Sequence, residues 1–74
     1  MKTMKRLLKD YELNSDMQYF EMIVESVING NRTQAKEQFK AMQEVDKRRF
    51  IQSIFGAWIS GLSESDKMLF VQPI

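Results

Sequence analysis

The segment SDMQYFEMIVESVINGNRTQAKEQFKAMQ, residues 15–43, predicts a helical hairpin. In its first half the apolar residues recur every three to four positions, which is the spacing of one face of an α-helix. Ser15 occupies the N-cap position, with Gln18 three residues later as in a capping box, and Gly30 can take the left-handed conformation that ends many helices. These signals predict a helix over residues 16–29.

The second half of the segment repeats this pattern over a shorter length. Ala35, Phe39 and Met42 lie at positions i, i+4 and i+7, and Asn31 is placed to cap the helix that they imply. We predict this helix over residues 32–43. Because only two residues separate it from the preceding helix, the two helices should lie side by side and antiparallel.

A third main helix is predicted over residues 47–61, with a wide apolar face. Asp46 is a candidate N-cap for this helix, and Gly61 is a candidate for its end. The large apolar residues of this helix and of the hairpin supply the predicted core. Its members are Phe20, Ile23, Val27, Phe39, Phe50, Ile54 and Trp58.

Two shorter helices complete the predicted architecture. A basic helix is predicted near residues 3–13, and Ser63 or Ser65 can cap a last helix near residues 64–71. No linker rich in Gly, Ser or Pro and no repeat divides the chain. We therefore predict one all-α domain over residues 1–74, a small bundle of four to five short helices built around the hairpin.

The composition argues against catalysis. The 74 residues contain no Cys and no His, so a thiol nucleophile, a zinc knuckle and the usual near-neutral acid/base group are missing. A chain of this length also has little material with which to enclose a deep substrate cavity. The acidic pairs Glu21 with Glu25 and Glu64 with Asp66 are typical of solvated helix surfaces and helix starts. We expect no enzymatic activity, no cofactor, no metal ion and no small-molecule substrate.

The distribution of apolar residues predicts a cytoplasmic protein. Lys9 and Asp10 interrupt the stretch in which the apolar core of a signal peptide would lie. The most apolar run, residues 50–62, is shorter than the roughly 20 residues that span a bilayer. We therefore expect no insertion into a membrane.

A surplus of large apolar side chains favours a protein partner. Six of the residues are Met, which makes adaptable contacts at interfaces as well as in cores. A fold of this size has little interior in which to cover every large apolar side chain of the third main helix and the C-terminal segment. We predict an interaction or regulatory module that either self-associates, with a homodimer as one form, or docks on another protein. The candidate contacts are Trp58, Met68, Leu69 and Phe70.

Segregated charge supports a second hypothesis, the binding of nucleic acid. The net charge of +1 conceals a basic start, an acidic predicted helix over residues 16–29 and a basic region over residues 32–49. Basic residues that recur at one-turn spacing can neutralise phosphates. The alternative is that the basic second helix only complements the acidic first helix across the hairpin, and the sequence leaves both open. The candidate phosphate contacts are Arg32, Lys36, Lys40, Arg48 and Arg49.

Overall fold

The computed structural model describes residues 1–56 and 58–71, and over these residues the chain forms a bundle of five helices. In chain order they are α1 (Met4–Asp10), α2 (Asp16–Ile28), α3 (Arg32–Lys40), α4 (Glu44–Phe55) and α5 (Glu64–Val71). The predicted small all-α bundle is confirmed. None of these helices is long and apolar enough to cross a bilayer.

The N-terminus of α2 is capped as the sequence predicts. Ser15 is the N-cap residue, and its Oγ accepts the backbone N–H of Gln18 at 3.3 Å. The Oε1 atom of Gln18 accepts a hydrogen bond from the backbone N–H of Asn14 at 2.6 Å. In a capping box the donor is usually the N–H of the N-cap residue itself, here Ser15. Two backbone donors at the helix start are thereby satisfied.

The turn between α2 and α3 is a Schellman motif centred on Gly30. The N–H of Asn31 donates to the carbonyl of Ser26 at 2.8 Å, and the N–H of Gly30 donates to the carbonyl of Val27 at 3.0 Å. Gly30 has φ +84°, in the left-handed region that favours glycine. The predicted end of the first hairpin helix is therefore confirmed together with its mechanism.

α3 ends at Lys40, whereas the sequence pattern predicts its end at residue 43. The carbonyl of Ala41 accepts the backbone N–H of Lys2 at 2.9 Å, and Met42 forms an isolated parallel bridge with the same residue. In a continuing helix this carbonyl would accept an N–H from the next turn. The N-terminal segment therefore takes the place of a further turn of α3.

α4 begins at Glu44, and the prediction of Asp46 as its N-cap is wrong. Gln43 occupies the N-cap position and makes no capping hydrogen bond through its side chain. Asp46 lies inside the first turn, where it is buried and accepts a hydrogen bond from Arg49 Nη1 at 3.0 Å. Because acidic groups are stabilised near helix N-termini, Asp46 supports the start of α4 from within the helix.

α4 also ends earlier than predicted, at Phe55 instead of near Gly61. The N–H of Trp58 donates to the carbonyl of Ser53 at 3.0 Å, so the chain folds back over the last turn. A Cβ atom at Gly56 would lie 2.7 Å from a backbone oxygen of that turn and 3.0 Å from Trp58 Cδ1. This close approach requires glycine at position 56.

The early end of α4 moves Trp58 from the predicted core to the surface. In a continuing helix Trp58 would lie one turn beyond Ile54 on the same buried face. Ile54 is buried, whereas Trp58 is 78% exposed. The prediction of a core tryptophan is wrong, and the other predicted core residues are confirmed as members of the core or packed against it. These are Phe20, Ile23, Val27, Phe39, Phe50 and Ile54.

Four phenylalanine rings, one from each of α2 to α5, meet in the core. Phe50 of α4 is fully buried, and its ring centroid lies 5.6 Å from Phe20, 5.7 Å from Phe39 and 4.9 Å from Phe70. The pairs with Phe20 and Phe70 have the edge-to-face geometry that aromatic rings favour. The Phe50 ring therefore joins three other helices to α4.

Hydrogen bonds between buried polar groups fix α2 against α3. The Tyr19 hydroxyl donates to the backbone carbonyl of Gln38 at 2.7 Å, and burial raises the pKa of this hydroxyl. Ser26 Oγ lies 2.9 Å from Gln38 Oε1. Every buried side-chain nitrogen or oxygen of the described residues has a hydrogen-bond partner, as stable interiors require.

α1 is held by two buried side chains and by a cluster of charges at its surface. Met4 and Leu7 are buried, and Asp10 accepts hydrogen bonds from Lys2 Nζ at 2.7 Å and from Arg6 Nε at 3.1 Å. The hydrogen bond from Lys2, together with that from Arg6, holds the pKa of Asp10 below its usual value. The ion pairs therefore close α1 onto the N-terminal segment that precedes it.

We expect Phe50→Ala to lower the free energy of unfolding by about 3–5 kcal/mol, the usual cost of removing a buried aromatic ring. Urea denaturation followed by circular dichroism measures this loss. Phe55→Ala is the matched control, because Phe55 lies on the same helix and is 44% exposed. The control should cost less than about 1 kcal/mol, and equal losses would contradict the central position of Phe50.

Asp10→Asn should destabilise the protein at neutral pH, and the difference from wild type should shrink as the pH falls. A carboxyl whose pKa is lowered by folding stabilises the fold above its unfolded pKa, which is near 3.8 for Asp10, and this stabilisation is lost as the pH falls through the folded pKa. Denaturation at pH 7 and at pH 3 measures the effect. A difference independent of pH would show that the carboxylate charge is not what Lys2 and Arg6 recognise.

Candidate interaction surfaces

A groove opens beside Trp58, between the start of α2 and the second half of α4. Its volume is about 280 Å³, just below the range of about 300–1,000 Å³ that is common for small-molecule pockets. The indole forms one wall, and the rest is a mixture of apolar and polar side chains. The lining residues are Met17, Phe20, Arg49, Gln52, Ser53 and Trp58.

Arg49 joins the two sides of this groove and pairs with two carboxylates there. Its Nη1 lies 2.8 Å from Asp16 Oδ2 and 3.0 Å from Asp46 Oδ1, and its guanidinium group lies 5.6 Å from the centre of the Phe20 ring. The hydrogen bond to Asp16, with that to Asp46, raises the pKa of Arg49. Arg49, a predicted phosphate contact, is instead engaged in joining the first turn of α2 to α4.

The predicted protein contacts on α5 do not line this groove. Met68 is exposed and Leu69 is half-buried against the core. Phe70 is only 8% exposed and packs against Phe39 and Phe50, so its prediction as a surface contact is corrected. The side chain at position 70 reaches the core because α5 covers the junction of α3 and α4.

Met17 is a groove residue that the sequence pattern does not single out. It lies three residues before Phe20 on the apolar stripe of α2, so its spacing predicts burial. Its place in the first turn of α2 leaves it 37% exposed. The only signal in the sequence is its nearness to the N-cap Ser15, since the ends of an apolar stripe are less well covered than its centre.

The basic residues of α3 differ in whether they form ion pairs. Arg32 Nη1 lies 3.0 Å from Asp66 Oδ1, which ties the start of α3 to α5. Lys36 and Lys40 are exposed, and within residues 1–56 and 58–71 neither forms an ion pair. Arg48 of α4 is likewise exposed, and no ion pair engages it in these ranges. Three of the five predicted phosphate contacts therefore remain available to an anion.

Ion pairs across the hairpin do not account for the cations of α3. In the part of the chain that the structure describes, no ion pair joins an acidic residue of α2 to a basic residue of α3. The two helices meet through buried apolar side chains and through the hydrogen bond from Tyr19 to Gln38. The basic helix therefore does not complement the acidic one through direct ion pairs.

The acidic pairs lie on accessible helix surfaces. Glu21 and Glu25 are exposed at a second open groove of about 350 Å³, which Met22 also lines. Asp66 pairs with Arg32, and Glu64 lies 3.4 Å from Lys67 Nζ. Across the described ranges no group of three acidic side chains is placed to hold a metal ion.

Comparison with known proteins identifies no relative of this chain. No protein-family model matches the sequence, no curated protein matches it, and no solved structure matches the fold.

Proposed function

We propose that this protein is a small non-catalytic interaction module that self-associates through the groove beside Trp58. The observation that carries the proposal is the 78% exposure of this indole beside an open groove. Tryptophan is enriched among the residues that dominate binding energies at protein interfaces. A large aromatic side chain left in water at the rim of a groove is therefore best explained by a partner that covers it.

A second copy of the chain is an occupant with suitable chemistry. In a dimer with two-fold symmetry each copy would place its indole in the groove of the other, so one set of residues supplies both sides of the interface. The cation in the groove, Arg49, pairs with both Asp16 and Asp46, and the three groups together carry a net charge of −1. Salt screens the repulsion between two such clusters, so we expect burial of the indole, and not charge attraction, to drive the association of two copies.

The fluorescence of Trp58 provides a direct test, because Trp58 is the single tryptophan of the chain. At high concentration we expect a mass near twice 8.8 kDa by light scattering. On dilution the mass should fall to that of one chain, and the emission should move to longer wavelength as the indole returns to water. A mass of one chain with constant emission at every concentration would contradict self-association.

Trp58→Ala should abolish this dimer while leaving the helical circular dichroism signal intact. Val45→Ser is the matched control, because Val45 is 59% exposed on α4 but does not line the groove. The control should retain the concentration dependence of the wild type. Loss of the dimer in both variants would point to general surface hydrophobicity as its cause.

A further inference from the structure

Three exposed cations on α3 and α4 stand apart from the charge balance of the fold. Ion pairs engage Arg32 and Arg49, but none among the described residues engages Lys36, Lys40 or Arg48. A charged side chain of this kind stays solvated and can displace the cations that are condensed on a polyanion. These three cations, like Lys5 and Lys9 of α1, are therefore available to a polyanion.

One contact at Phe39 brings a cation of α4 to α3. Lys47 Nζ lies 5.8 Å from the centre of the Phe39 ring, so the basic part of α4 reaches the side of α3 that carries Phe39. Lys36 is three residues before Phe39 and lies on a neighbouring part of the helix surface. We call Lys36, Lys40, Lys47 and Arg48 the basic face. Glu44, 3.3 Å from Lys47, balances one of its four charges.

We propose that the basic face binds the phosphate backbone of double-stranded nucleic acid, without reading its sequence. Lys36 and Lys40 are separated by about 6 Å along the axis of α3. A duplex carries one phosphate charge per roughly 1.7 Å of its axis, so about three to four phosphates lie within the span of these two lysines. Each ammonium group can therefore meet a phosphate with only local side-chain movement.

The chemistry of α3 favours nucleic acid over an anionic membrane surface. Helices that lie in a membrane interface bury large apolar side chains among the lipids. The apolar residues of α3, Ala35 and Phe39, instead face the core, and its outer positions are polar. The basic face therefore offers charge to a partner but, on α3, no apolar side chain for insertion.

The salt dependence of binding tests this proposal. Binding to a fluorescent random 20-base-pair DNA can be followed by anisotropy. The logarithm of the association constant should fall with a slope of about −2.7 against the logarithm of the salt concentration, as expected for three cations. This slope corresponds to a loss of about 40-fold between 50 and 200 mM salt. Absence of binding at 50 mM salt would overturn the proposal.

Matched variants locate the site. Lys36→Gln with Lys40→Gln should reduce the magnitude of the slope by about 2, since each lost phosphate contact removes about one unit. Lys5→Gln with Lys9→Gln removes the same charge from α1, where both lysines are exposed and form no ion pair in the described ranges, and should leave the slope unchanged. Equal effects of the two double variants would overturn the assignment to the basic face.

Two further measurements distinguish DNA binding by the basic face from self-association and from membrane binding. Trp58→Ala should retain DNA binding, so a failure of self-association and a failure of DNA binding are distinguishable. Vesicles of phosphatidylcholine with phosphatidylserine should bind more weakly than DNA at equal salt. Tighter binding to these vesicles, lost on substitution of Lys36 and Lys40, would replace nucleic acid with a membrane as the partner of this face.

Discussion

The packing of three phenylalanine rings around Phe50 is the constraint on which the rest of the bundle depends. Phe20, Phe39 and Phe70 come from three different helices, and each has its ring centre within 5.7 Å of that of Phe50. A short bundle buries little apolar surface in total, so a ring shared among four helices provides much of its cooperativity. The position of α5 follows directly, because Phe70 brings this helix over the junction of α3 and α4.

This packing also explains why an indole is left at the surface. Phe70 of α5 packs against one side of Phe50, so this part of the core is filled without a ring from the end of α4. The chain turns at Gly56, and the backbone of Trp58 folds back onto Ser53 at 3.0 Å. The exposure of Trp58 is thus a result of how the core is completed, and it gives the molecule an apolar surface that a partner can cover.

Local signals in the sequence were enough to predict the hairpin, but a distant contact sets the end of α3. The caps at Ser15 and Gly30 depend on residues within five positions, so the sequence pattern contains them. The end of α3 depends on Lys2, about 40 residues away, and the role of Asp46 depends on an arginine that also binds α2. Periodicity cannot report such contacts. It also misses the turn at Gly56 that ends α4, which is why Trp58 was predicted to lie in the core.

The same limit applies to the candidate nucleic-acid surface. Lys47, Arg48 and Arg49 are consecutive, yet successive residues of a helix point about 100° apart. Lys47 turns to Phe39 and Glu44, Arg49 turns to the two acids beside the groove, and Arg48 remains exposed between them. The three consecutive basic residues therefore have three different roles. Lys47 contacts the edge of the core, Arg48 is an exposed cation, and Arg49 forms structural ion pairs. Because Arg49 belongs to the groove and Arg48 to the basic face, α4 presents two chemically different surfaces, and a change in one leaves the other in place.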